Sequence, residues 1–380
     1  MALFYEQALV PTHSCILMES AEEAKEHPRG EMKLGYCPEC GFISNLRYDP
    51  SLEDYTGGYE ESQHFSPRFR EFAHGLSKKL VDTYALADKD AVEIGCGKGE
   101  FFALLCDQGA KGGVGIDPAW VEGRADKVSE SASRIRFLKE FYSDSHGELP
   151  CDFVLCRHTL EHIHTPLDFL ETIRRNLGDR KDAVVFMELP DTRRIMEERA
   201  FWDIYYEHCS YFTLGSLARA FRAARFEILE LYTDYDDQYL MIAAKPSDAP
   251  TTPVLEAEDD LEEMRAEVEA FCVDLERKVS TWRKELDDNA GKRVVLWGSG
   301  SKAVGYLTTL GIEDEIRYVV DINPHKQGKF LPGTGQEIVS PEFLVDYQPH
   351  EVIVMNPVYL KEIGDSLREL GVNANLSACQ

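Results

Sequence analysis

Ala91-Val92-Glu93-Ile94-Gly95-Cys96-Gly97-Lys98-Gly99-Glu100-Phe101-Phe102 carries an apolar run into three alternating glycines and out again into an apolar, helix-compatible stretch. A strand, a tight turn and a helix N-terminus in that order leave backbone N–H groups bare beside a crevice, where a ligand can approach without meeting a Cβ. The spacing is G-x-G-x-G, not the G-x-G-x-x-G of a dinucleotide fingerprint, and an acid, Glu93, precedes it at the strand end. Gly113-Val114-Gly115-Ile116-Asp117 reads as the next strand. It places Asp117 about twenty residues beyond the glycines, where a carboxylate can accept both hydroxyls of a ribose. A turn that served only helix–strand packing would not call for an acid there.

These two stretches resemble motifs I and II of the class I S-adenosylmethionine (SAM)-dependent methyltransferases. The resemblance implies a SAM crevice formed by Glu93, Gly95, Cys96, Gly97, Asp117 and Pro118, with Gln63 from the preceding segment and Arg157 from a later strand end as further cofactor contacts.

Outward from this centre the pattern alternates. Ile135-Arg136-Phe137-Leu138, Cys151-Asp152-Phe153-Val154-Leu155-Cys156 and Val184-Val185-Phe186-Met187-Glu188-Leu189-Pro190 read as buried strands, with a helix from Pro166 to Leu177 between the last two. Alternating strands and helices predict an α/β fold with a doubly wound parallel sheet. Cys156-Arg157-His158-Thr159-Leu160-Glu161-His162 then falls where a strand end meets a loop, on the side of the sheet where ligands bind. Two further strands are expected at Phe226 to Leu231 and Tyr239 to Ala244.

Composition bounds the partners. The chain has 380 residues and is 43% hydrophobic, enough for two or three domains with proper cores. Its 41 basic and 68 acidic residues leave a net charge of −27, which argues against a nucleic-acid partner because phosphates would be repelled. There is no long apolar run and no basic region at Met1-Ala2-Leu3-Phe4-Tyr5-Glu6, so the expectation is no membrane span, no signal peptide and a cytoplasmic location. The ten cysteines are scattered, several within apolar runs, as reduced buried thiols would be.

The first seventy or so residues read as irregular. Within them Cys37-Pro38-Glu39-Cys40-Gly41 is a C-x-x-C-G knuckle, half of a zinc ribbon, and His13 and Cys15 are the available upstream ligands for a structural zinc. Asp54 to Pro67 is rich in aromatic and hydroxyl groups, suited to folding over a cofactor, and Ser66-Pro67 begins a helix that runs to about Tyr84.

Phe201 to Phe212 concentrates Tyr205, Glu207 and His208 in one short piece, and a carboxylate beside a histidine can fix its tautomer and hold a developing imidazolium. Beyond a Pro- and Ser-containing linker at Ser247 to Pro253, Leu255 to Leu286 reads as a charged amphipathic helix, a strut between domains. Arg293 to Trp297 opens a second α/β unit, whose Gly298-x-Gly300-x-x-Ala303 turn and Asp321 fit the dinucleotide template.

Taken together, the knuckle, Tyr59-Glu60-Glu61-Ser62-Gln63, the Glu93 to Gly97 turn, Leu160-Glu161-His162, Tyr205-Tyr206-Glu207-His208 and the Val320 to Lys329 segment resemble the sugar C-methyltransferase family. The resemblance implies an N-terminal zinc-binding and cofactor-covering module (1–68), a Rossmann-like SAM-binding core (69–246), a linker and helical strut (247–290), and a Rossmann-like C-methyltransferase C-terminal domain (291–380). It also implies methylation of the carbon beside a keto group on a nucleotide-linked sugar, a small-molecule acceptor. His208 would be the base, assisted by Tyr205, Glu207 and Tyr59. A carbon acid must lose a proton before its carbon can attack a sulfonium methyl, which requires a base of suitable pKa and a donor at the enolate oxygen. The alternatives are O-methylation of a related sugar or small molecule, or an NAD-dependent oxidoreductase working at Gly298. Nothing in the sequence sets the oligomeric state.

Overall fold

The apolar runs read as strands become three sheets in the computed structural model, which describes residues 1–53, 58–249 and 252–380. In chain order the strands are β1 (Ala2–Pro11), β2 (Arg29–Tyr36), β3 (Ile43–Asn45), β4 (Ala91–Ile94), β5 (Gly113–Ile116), β6 (Ile135–Leu138), β7 (Phe153–Arg157) and β8 (Val184–Pro190). There follow β9 (Ser210–Tyr211), β10 (Phe226–Asp234), β11 (Tyr239–Pro246), β12 (Val294–Trp297), β13 (Ile316–Val320), β14 (Glu337–Val339), β15 (Glu351–Val354) and β16 (Asn375–Ala378).

The central sheet has seven strands in the order β10-β11-β8-β7-β4-β5-β6. Strands β4 to β8 run parallel, and β11 is inserted antiparallel between β8 and β10. The chain reverses direction across the sheet at β4, so the crevice at the end of β4 is the topological switch point where such sheets bind ligands. The second α/β unit is an all-parallel sheet in the order β14-β13-β12-β15-β16, with its own reversal at β12. Parallel strands must be covered on both faces, which is why β4, β7 and β8 are apolar almost throughout.

Two expectations are corrected. The N-terminal region is ordered rather than irregular: β1 and β2 form a long antiparallel hairpin, extended by β3 and by β9 from the middle of the chain. Register shifts between Leu3 and Tyr5 and between Gln7 and Val10 break the two-residue alternation that would have marked β1. The charged helix is no bare strut. It spans Leu261–Asp288 and buries Met264, Val268, Phe271, Trp282 and Leu286 in a core shared with Tyr5, Trp202 and Tyr306. It also starts later than Leu255, because Glu258 is held by Arg222 (2.6 Å) and Asp260 by Arg219 (2.6 Å), anchoring the approach as a separate turn. Among the described residues, no helix is long and apolar enough to cross a membrane.

Candidate active site

The carboxyl ends of β4 and β12 open onto one cavity of about 750 Å³. Its wall includes the Gly95 to Lys98 turn, Arg157 and His158, Tyr205 and His208, and the Gly298 to Lys302 turn, so the two α/β units enclose a common space.

On the β4 side the expected cofactor residues converge. Gly95, Gly97 and Gly99 all have left-handed backbone (φ +70°, +54° and +79°), which glycine adopts without penalty. A Cβ on Gly95 would run into Thr159, and one on Gly97 would press to 2.8 Å of Glu61 Oε1. Asp117 accepts the Gly97 N–H at 2.8 Å and the Ala119 N–H at 2.6 Å, tying the glycine turn to the next strand. Burial raises its carboxyl above the usual range, against those two hydrogen bonds. Glu93 is buried, its carboxyl is pushed up to about 8 by desolvation with Arg157 opposing, and its Oε2 has no partner. An orphaned carboxyl oxygen beside a glycine turn that presents no Cβ to the crevice fits a polar, partly cationic cofactor such as SAM. Cys96 and Pro118 line the same crevice, the Cys96 thiol raised by burial. Replacing Asp117 by Ala should weaken SAM binding by about 1–3 kcal/mol through lost hydrogen bonds. Calorimetric titration showing unchanged SAM affinity would place the cofactor elsewhere.

Arg157 is at the cavity wall, but its Nε and Nη2 bind Glu188 at 2.6 and 2.9 Å and its guanidinium lies 3.8 Å above the Phe101 ring. It acts on the crevice from a fixed position. His158, with left-handed φ of +47°, sets Nε2 2.8 Å from the same Glu188. Burial alone would lower its pKa, but Glu188 and Glu161 carry it up to about 9, so the ring is cationic at neutral pH. Glu188 was read from the sequence only as part of a strand; an acid inside an apolar strand is itself a signal for a buried cation partner.

The covering segment is present from Gly58 onward, while Asp54 to Gly57 lie outside the described residues. Glu60 binds Arg124 (3.0 and 3.2 Å) on one α/β unit and Asn323 (3.0 Å) on the other. Glu61 pairs with Lys98 at 3.3 Å over the glycine turn. Gln63 Oε1 accepts from Tyr359 Oη at 3.2 Å, and Ser66 donates to Glu362 at 2.8 Å while capping the helix Pro67–Tyr84. Gln63 therefore bridges the units at the cavity mouth.

The expected catalytic group is partly rearranged. His208 is 7% exposed, with Nε2 3.1 Å from the Tyr205 hydroxyl and its ring edge-on to His162 at 4.9 Å. Burial first, then His162, His158 and Lys302, hold its pKa well below the usual imidazole value. Glu207 does not serve it. The Glu207 carboxylate accepts from the Ser14 N–H (2.8 Å) and hydroxyl, with a further hydrogen bond from Tyr59, and burial pushes it up to about 7. Tyr59 is thus attached to Glu207, and a bridge pairs its backbone with Ile16.

The zinc expected on Cys37, Cys40, Cys15 and His13 finds no common site. Cys37 and Cys40 form the predicted knuckle, closed by Gly41 N–H to Cys37 O (2.8 Å), with Arg219 Nε donating to Cys40 O (2.9 Å). Cys15 instead lines the central cavity beside Ser301, and His13 packs edge-on against His27. Among the described residues, the one group of three metal-capable side chains whose donor atoms converge is Glu161, His162 and His208.

The Gly298 turn copies the first site's logic. Asp321 accepts the Ser299 N–H (3.0 Å) and hydroxyl (2.5 Å), as Asp117 accepts the Gly97 N–H. Lys302 is paired with Asp203, which also takes Arg194 at 2.5 Å.

Two family models match separate stretches of the chain. A family model described as a methyltransferase domain matches residues 65–231, and one described as a C-methyltransferase C-terminal domain matches residues 245–374. The chain is 28% identical over 313 residues to the C-methyltransferase NovU of Streptomyces niveus, covering 77% of this chain and 73% of that protein. Solved structures that it resembles include the 1,6-didemethyltoxoflavin-N1-methyltransferase of Burkholderia thailandensis (20% identity, 47% of this chain and 80% of that one, TM-score 0.37). Another is the magnesium protoporphyrin IX methyltransferase of Synechocystis PCC 6803 (15% identity, 50% and 91%, TM-score 0.37). With a methyltransferase domain built around the Gly95 turn and a C-methyltransferase C-terminal domain built around the Gly298 turn, the chain is a SAM-dependent C-methyltransferase.

Proposed function

We propose that the acceptor is a nucleotide-linked ketosugar, methylated at the carbon beside its keto group through an enolate formed with His208 as base. The observation that carries this reading is the single cavity joining the Gly95 and Gly298 turns, with His208 and Tyr205 on its wall. One end suits the cofactor, and the other offers a glycine turn and a helix N-terminus to an anionic group such as a diphosphate. SAM, when bound, supplies an electrophilic methyl group. The chain's own residues make the carbon nucleophilic. His208, neutral at physiological pH, takes the proton from the carbon; the electron pair left behind delocalises onto the keto oxygen and then forms the new carbon–carbon bond, as S-adenosylhomocysteine leaves. The positive groups that depress the His208 pKa, His158 and Lys302 among them, favour the negative charge developing on that oxygen.

Incubation with SAM and a panel of nucleotide-ketosugars, read by mass spectrometry, should show the mass gain of one methylene on a member of the panel. Methylation of sugar hydroxyls instead would replace C-methylation by O-methylation on this acceptor class. The Gly298 side is tested separately. A Cβ on Gly300 meets nothing within 4 Å and its φ is −90°, so Gly300→Val is accommodated by the fold and projects into open space. It should raise the acceptor KM on the order of tenfold, as a few lost contacts would, with SAM affinity unchanged. Stoichiometric NAD binding abolished by this substitution would instead favour hydride chemistry at Gly298.

A further inference from the structure

We infer that Glu161 is the carboxylate that serves His208, a positioning role that rests on the reading of His208 as the base. Chain adjacency gives this role to Glu207, but Glu207 Oε2 is turned onto Ser14, and although its Oε1 is also without a partner, the carboxylate whose oxygen converges with the ring nitrogens of His162 and His208 is that of Glu161. Glu161 belongs to the short turn Leu160–His162 that follows β7. That turn brings a carboxylate oxygen of Glu161 and ring nitrogens of His162 and His208 within 4.8 Å of one another. The Glu161 side chain is buried, 3% exposed, with Oε1 3.5 Å from His158 Nδ1 and Oε2 without any hydrogen-bond partner.

A buried carboxylate oxygen without a donor is costly to maintain, and such an orphan calls for a partner that the resting arrangement lacks. Protonated His208 is such a partner. The groups facing His208 are His162, His158, Lys302, Tyr205 and Tyr211. Those facing Glu161 are His158, His162, Cys156, Cys209 and Tyr205. Asp203, another acid on this wall, is spent on Lys302 and Arg194. An imidazolium formed on His208 therefore has Glu161 as its counter-ion. His162 is hydrogen-bonded to the Glu207 backbone, which locks the turn to the segment carrying the base.

The test is Glu161→Gln, with Glu161→Asp beside it, in the full chain. Turnover, solvent-deuterium exchange into the acceptor, SAM affinity and bound metal are measured across pH. Loss of the charge disfavours the imidazolium, so Gln should lower kcat on the order of 10–10²-fold, a share of the roughly 10²–10⁴-fold general-base contribution. KM and SAM affinity should hold, and the acid limb of kcat/KM should move to lower pH. Asp should recover part of both effects. If the Gln variant does not fold, the Asp variant carries the test by an intermediate shift of that limb. A wild-type rate and pH profile in the folded variant would overturn the inference. So would a stoichiometric transition metal in the wild type that Glu161→Gln loses, which would assign the three side chains to an ion. The underlying reading fails separately: His208→Asn that still exchanges the acceptor proton removes the base, whereas a dead His208→Asn beside a normal Glu161→Gln removes Glu161 alone.

Discussion

His208→Asn should lower kcat roughly 10²–10⁴-fold, the range that general-base catalysis contributes, and leave SAM affinity intact. Asn preserves the approximate shape and a hydrogen bond toward Tyr205 but cannot accept a proton at neutral pH. The crevice expected to hold SAM is formed by β4, β5 and the glycine turn, away from His208, so binding should not follow the loss. The wild-type pH profile supplies a sign. A base acts when unprotonated, and the His208 pKa lies well below the usual imidazole value because of burial and its positive neighbours. Activity should thus persist as pH falls through 6.5, the ordinary value for histidine. Solvent exchange is the sharper measurement: the wild type should exchange the acceptor's carbon-bound proton for deuterium, and the variant should not. A variant that methylates at near wild-type rate would return His208 to a packing role. His158, held cationic by Glu188 and Glu161, would be a poor replacement at neutral pH, and the search would move to Tyr205 and Tyr59.

Local signals carried further than distant ones. The Gly95 to Gly99 turn and the helices Pro67–Tyr84 and Pro166–Leu177 follow from short-range rules, a glycine spacing in one case and Pro at the first helical position in the others, and all three are found. The Leu261–Asp288 helix showed its apolar stripe, but not that the stripe would meet Tyr5 and Trp202 in one core. Placement was legible where it depends on a residue's own strand end, as for Glu93 and Asp117, which both reach the cavity wall. It was not legible where the partner lies far along the chain. Glu207 sits next to His208 in sequence, yet Ser14, nearly two hundred residues earlier, decides where its carboxylate points. Cys15 and His13 do not join the Cys37 knuckle for the same reason: Cys15 lines the cavity beside Ser301, and His13 packs against His27. Glu188 was partly readable, because a buried acid in an apolar strand implies a cation.

Glu188→Gln should be the most destabilising single substitution near the site. Glu188 is 1% exposed and neutralises two cations, buried Arg157 through two hydrogen bonds and half-buried His158 through one. Replacing one partner of such a group leaves uncompensated charge in a low-dielectric wall, a loss of about 3–5 kcal/mol. The pH dependence follows from two shifts of opposite sign. Desolvation raises the Glu188 pKa, but Arg157 and His158 more than offset this and hold it down at about 2, from 4.5. Its contribution is therefore complete above 4.5 and is lost as pH falls toward 2. His158 is raised from 6.5 to about 9, so its contribution is complete below 6.5 and is lost as pH rises through 9. Between about pH 4.5 and 6.5 both are in force, and there the urea midpoint of the variant should fall furthest below that of the wild type. Toward pH 9 the difference should narrow, because the wild type gives up its His158 share while Arg157 stays charged and unpaired in the variant. A difference that is constant from pH 4.5 to 9 would mean that His158 is not held cationic by Glu188. The cluster would then be a two-member Arg157–Glu188 pair, with His158 neutral and available as a base.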